Sequence, residues 1–131
     1  MREIKFRALA VVNDKHAGIK VGDFVYGHYI ESGCDAPCII FGDGEQIEVN
    51  KKTLGQFISL TDENGANIFD GDIINDSLVG VGAVKFCNAN SAFKVSYGDG
   101  VGKWFIDFSA SDMRSLEVIG NIHQNPELLE R

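Results

Sequence analysis

Apolar and polar residues alternate in short runs along this chain, and turn-forming residues break the runs about every 8–12 positions, the spacing of an all-β sandwich or barrel. Ile4-Lys5-Phe6-Arg7-Ala8 alternates apolar with basic residues and then becomes wholly apolar to Val12, which predicts a strand entering a core. Asn13-Asp14 and Gly18 end it. Val21–Ile30 is aromatic and β-branched, a composition that favours a second strand. Cys38–Phe41 and Gln46–Val49 flank Gly42-Asp43-Gly44-Glu45, and Asp-Gly at that place predicts a hairpin with a type I′ turn. Leu54–Leu60, Ile73-Ile74, Ala83–Cys87, Phe93–Tyr97, Lys103–Phe108 and Leu116–Ile119 complete the series. The turns between them include Thr61–Gly65, Asp70-Gly71-Asp72 and Gly98–Gly102. Helical signals are confined to a turn at Ser109–Arg114 and a second after Asn125. There Asn125 suits the cap, Pro126 the first helical position, and Glu127 the positive end of the dipole.

Composition sharpens this picture. Fifteen Gly against two Pro in 131 residues point to many tight turns, and 44% hydrophobic residues suffice for a buried core. No run approaches the roughly 18 apolar residues of a membrane span, and Met1–Lys5 opens no signal-peptide core. Three cysteines, Cys34, Cys38 and Cys87, cannot all pair with one another, so reduced thiols in a cytoplasm are expected. The net charge of −7 opposes a broad grip on phosphate backbones and is too scattered for a DNA mimic.

Candidate chemistry is sparse. Asp70, Asp72 and Asp76 offer carboxylate oxygens to a hard cation, but neither the EF-hand spacing nor its bidentate Glu is present. The Gly71-Asp72 step is accounted for by a sharp turn whose carboxylate accepts backbone N–H groups. Cys34 and Cys38 have a spacing that zinc accepts, yet no second Cys or His pair completes the tetrahedron, and Cys87 reads as a core residue. His16, His28 and His123 lie in no recognisable nucleophile–base arrangement. Gly98–Lys103 lacks the Ser or Thr, and the helix, of a phosphate loop. The residues best suited to a ligand are Lys85, Phe93, Lys94, Tyr97, Lys103 and Trp104, stacking aromatics and cations on neighbouring strands that could serve single-stranded nucleic acid. No metal, cofactor or catalytic residue is expected.

Three blocks of this sequence resemble the YopX-like family. They are Ile4–Ala8 with Phe24-Val25-Tyr26-Gly27; Thr53–Phe57 with Asp62–Gly65 and Ile68–Ile74; and Glu117–Ile122 with Asn125–Leu129. The blocks occur in the family's order and span nearly the whole chain. Ser59 departs from the pattern, standing where the family usually has Thr-Gly. The resemblance implies a mostly β, partly open barrel, organised as one domain with a β lobe over about 1–55 and an SH3-like lobe over about 56–131. It also implies carriage by a phage or prophage. It brings no catalytic or binding residue. The expected function is that of a non-enzymatic accessory protein in the bacterial cytoplasm. Its partner would be an unidentified host or phage protein, or a second copy through an exposed strand edge. A small-barrel nucleic-acid binder is the alternative, and an enzyme or metal protein stands behind both.

Overall fold

The computed structural model describes residues 4–31, 36–77, 80–87, 92–97, 104–107 and 116–129, with the backbone alone for Cys87 and 104–107. The chain forms two compact units, Met1–Phe57 and Ile58–Arg131, and crosses from one to the other within a single strand.

The first unit contains β1 (Phe6–Leu9), β2 (Phe24–Ile30), β3 (Cys38–Phe41), β4 (Glu45–Glu48), a 3-10 turn at Lys51–Thr53, and the start of β5 (Gly55–Thr61). Neighbours run antiparallel in the order β4-β3-β2-β1-β5. Period-two patterning sends Ala8, Val25, Ile39 and Ile47 inward, where they meet Ala10 and Val49. Each buried Val or Ile is worth roughly 1.5–3 kcal/mol of transfer free energy. Val49 bridges Ala10, Val11 N–H donates to the Glu48 carbonyl at 3.1 Å, and Asn50 N–H donates to Leu9 at 2.9 Å. These bonds draw the end of β4 back toward the end of β1, so the sheet curls into a partly open barrel.

Two expectations change here. The opening apolar run does not stay in the strand through Val12: β1 stops at Leu9, and Val11 and Val12 lie exposed. The chain turns because the Ala10 carbonyl accepts Gly22 N–H and its N–H goes to Asp23. The β3–β4 hairpin is not a type I′ turn. Phe41 pairs with Glu45, leaving three loop residues, of which Gly42 (φ 56°) and Gly44 (φ 100°) take positive φ while Asp43 does not.

The second unit holds the remainder of β5, then β6 (Asn67–Phe69), β7 (Asp72–Asp76), β8 (Gly80–Cys87), β9 (Ala92–Tyr97), β10 (Trp104–Asp107), β11 (Leu116–Asn121) and a 3-10 turn at Pro126–Leu129. Strand β6 lies beside β5, and the other strands form one antiparallel sheet in the order β10-β9-β8-β7-β11. Ile58, Ile68, Ile74, Val84, Val95, Tyr97 and Leu116 form its core, with Phe93 and Val118 packed against it. Among the described residues neither sheet closes into a full barrel. No helix among them is long and apolar enough to cross a membrane. The expected turn at Ser109–Arg114 and the Gly98–Gly102 loop lie outside the described residues.

Candidate functional site

Alternation places Lys5 and Arg7 on the outer face of β1, with Phe6 and Ala8 facing the core. On β2 it places Phe24, Tyr26, His28 and Ile30 outward, with Val25, Gly27 and Tyr29 inward. The register pairs Arg7 with Tyr26 and Leu9 with Phe24, so cations and aromatics of adjacent strands interleave. Lys5 Nζ lies 5.9 Å from the Tyr26 ring centroid, and the Arg7 guanidinium carbon 4.3 Å from that of Phe24. The two rings are 6.3 Å apart at 45°. Contacts of this kind contribute about 0.5–1 kcal/mol when exposed and about 2 when desolvated. Arg7 is the desolvated one, being buried. Tyr26 is 44% exposed and Ile30 41%, with His28 exposed between them.

Strands β3 and β4 extend this face. Ile40 lies opposite His28 and Cys38 opposite Ile30, while Gln46 and Glu48 follow on β4, both exposed. Gly27 permits the close approach of β3, since a Cβ there would run into the Ile40 carbonyl. At the end of β2, Tyr29 Oη donates to Glu31 Oε2 at 2.9 Å, and Lys51 Nζ reaches both Glu31 oxygens at 2.9 Å. Burial pushes the Tyr29 hydroxyl up to about 12, helped by the hydrogen bond and charge of Glu31 and by the nearby Cys38. The bonds from Lys51, then Tyr29, hold the Glu31 carboxyl below its usual range. This clamp tethers the 3-10 turn to β2.

The residues expected to serve nucleic acid are separated by the pleat of the second unit's sheet. Lys85 pairs with Lys94 and Phe86 with Phe93, so the lysines occupy one face and Phe93, Val95 and Tyr97 the other. Tyr97 is buried and its hydroxyl donates to Asp76 Oδ2 at 2.9 Å. Phe93 packs on the core and meets the exposed Phe86 edge-on at 5.3 Å. Trp104 pairs with Tyr97 along the backbone, and Lys103 lies outside the described residues. The aromatic–cation face on β1 and β2 was signalled by the alternation of Ile4–Ala8 and by Phe24-Val25-Tyr26, which read only as strand and family motif.

The acidic residues do structural work. Asp72 is buried and its Oδ2 accepts Phe69 N–H at 2.8 Å across Gly71, whose φ is 94°. Asp76 is buried beneath Tyr97. Among the described residues no three His, Cys, Asp or Glu side chains gather where they could hold one ion. The Cys38 thiol donates to the Ala36 carbonyl at 3.4 Å, while Cys34 and the Cys87 side chain lie outside the described residues. His16 is exposed in a turn, and His123 stands close over Gly71. Asn125, expected to cap the last turn, instead accepts Asn121 N–H at 3.2 Å. The amide of Asn121 accepts the N–H groups of His123 and Gln124.

Comparison with known proteins adds the following. The chain is similar over 99% of its length to the solved structure of protein EF1440 from Enterococcus faecalis, covering all of that chain, with a TM-score of 0.52 and 23% identity. That likeness supports the shared fold alone. A search of curated proteins finds no match. The sequence model of the YopX protein family matches residues 5–130, nearly the whole chain. The protein belongs to the YopX family.

Proposed function

We propose that this protein is a non-enzymatic accessory module, carried by a phage or prophage and working in the bacterial cytoplasm, that binds another protein through the outer face of β1 and β2. Family membership fits a phage-type protein, and the strand order of the second unit fits an SH3-like lobe, a meander whose last strand returns beside its first. The observation that carries the binding surface is the exposed row Tyr26, His28 and Ile30, backed by Lys5 and Arg7. Tyr and Arg with few acids are the composition of protein-interface cores. Phosphate binding needs cations that reach outward. Arg7 is buried against Phe24 and Lys5 lies over Tyr26, so protein suits this face better than nucleic acid.

The test is site-specific photo-crosslinking in a bacterial host. A benzophenone side chain replacing Tyr26 should give a discrete protein adduct, and the same group at exposed Asn75 on β7 should not. No adduct at Tyr26 during either growth or phage induction would remove the proposal.

A further inference from the structure

Away from the β1–β2 face, the fold leaves one covalent step open to the chain itself. Asn64-Gly65 is the sole Asn-Gly step of the sequence, and both residues are exposed in the turn that joins β5 to β6. Glycine has no side chain to shield its nitrogen, and a Cβ built on Gly65 would meet nothing within 4 Å. The side-chain amide of Asn64 is held by a long bond, its Nδ2 donating to Glu117 Oε2 at 3.4 Å.

We infer that Asn64 is a site of self-modification, converted to isoaspartate through a cyclic imide when the turn opens. The Gly65 nitrogen, giving its proton to water, attacks Cγ of Asn64, and the new C–N bond closes the imide as ammonia leaves. Water then opens the ring. Attack at the side-chain carbonyl returns aspartate; attack at the main-chain carbonyl leaves isoaspartate, with the backbone running through Cβ. Asp43-Gly44 and Asp70-Gly71 offer a carboxyl where Asn64 offers an amide, and a carboxylate is a far poorer electrophile.

Asp62 is the gate. Its Oδ1 accepts Asn64 and Ala66 N–H at 2.9 and 2.8 Å, and its carbonyl accepts at 3.0 Å the N–H of Gly65, the group that must attack. While these bonds stand the nitrogen is held in the turn, and it is freed by a local opening distinct from global unfolding. The product cannot rebuild them. Isoaspartate sets an extra main-chain atom between the donors at 64 and 66, and puts a free carboxylate beside Glu117. Asp62 Oδ2 also accepts Val118 N–H, so the loss reaches β11.

Peptide mapping by mass spectrometry, during incubation in water enriched in heavy oxygen, reads the step as ammonia lost and labelled oxygen gained at Asn64. The intact chain should convert there roughly tenfold more slowly than a synthetic peptide spanning residues 61–67, and Asp62→Ala should bring the rate to within about twofold of the peptide's. Asp62→Asn takes its place at temperatures where Asp62→Ala is unfolded. Gly82→Ala, which crowds Tyr97 and spares the turn, should convert at the wild-type rate. No conversion at Asn64 while the peptide converts fully would overturn the inference. So would a rate unchanged by the Asp62 substitution, or raised equally by Gly82→Ala, since the latter traces the step to whole-chain unfolding. The isolated isoaspartyl chain should melt below Asn64→Asp, which gains the charge without the extra main-chain atom. Equal melting of the two would overturn the loss of the Asp62 bonds as its consequence.

Discussion

Asp62 accepts three backbone hydrogen bonds while buried: Asn64 and Ala66 N–H at 2.9 and 2.8 Å on one oxygen, and Val118 N–H at 2.9 Å on the other. Burial by itself raises its pKa, but the three bonds together outweigh it and hold the carboxyl below its usual range. A depressed folded-state pKa contributes stability above the unfolded value, about pH 4, and that stability is lost as pH falls through the folded value. Asp62→Asn should therefore cost about 2–3 kcal/mol at pH 7, because the amide nitrogen cannot accept a bond. The deficit should shrink below pH 4, as chemical denaturation at several pH values would reveal; an equal deficit at every pH would disprove the role of charge. The sequence marked Asp62–Gly65 as a turn through its Asn-Gly step. In the fold only Gly65 takes positive φ, at 82°, and the carboxylate organises the turn. Its long-range bond to Val118 was illegible because nothing local announces a partner 56 residues away. Ser59 is the converse case. It is the only non-glycine with positive φ among the described residues, at 70°, and it stands where the family pattern usually supplies Thr-Gly. Relief of about 1–2 kcal/mol of left-handed strain, less the greater flexibility of glycine when unfolded, predicts a net gain of about 0.5–1 kcal/mol for Ser59→Gly. A lower melting temperature would show that the Ser59 hydroxyl contributes more than the backbone loses.

Elements were readable where local pattern governs. The runs at Val21–Ile30, Cys38–Phe41 and Phe93–Tyr97 became β2, β3 and β9 because two-fold alternation and β-branched or aromatic side chains suit a pleated, half-buried surface. Strand β6 escaped notice, since Asn67–Phe69 is too short to display a period. Within β8, Gly82 looked like one more glycine between apolar residues. By continuation of the β8–β9 register it lies opposite Tyr97, and a Cβ there would sit 2.7 Å from Tyr97 Cε1 and 2.8 Å from Val95 Cγ1. The missing side chain makes room for the tyrosine ring, whose hydroxyl reaches Asp76. Gly82→Ala should destabilise by about 1–3 kcal/mol through overpacking, and should cost much less when introduced into a Tyr97→Leu background. Thermal denaturation of the single and double variants separates this from simple loss of glycine flexibility, which the second substitution would not repair.

Pairings between distant segments were the least readable part of the molecule. Val49 meets Ala10, and β11 returns to β7, because registers across such separations depend on which faces must be buried together. The same limit explains the nucleic-acid residues. Lys85, Phe93, Lys94 and Tyr97 are neighbours along two paired strands, yet the pleat puts the lysines on one face and the aromatics on the other. A binding groove for single strands needs stacking rings and cations on a common face. Among the described residues the second unit does not offer that geometry, and its charge of −6, five Lys and Arg against eleven Asp and Glu, is unfavourable. An oligothymidylate of about 20 nucleotides should accordingly migrate unshifted with this protein even at low salt, where counterion release favours binding most. A complex that weakened with rising salt and vanished in Lys85→Glu/Lys94→Glu would overturn that expectation. One that vanished instead in Lys5→Glu would place nucleic acid on the β1–β2 face, and would set it in competition with a protein partner for Tyr26.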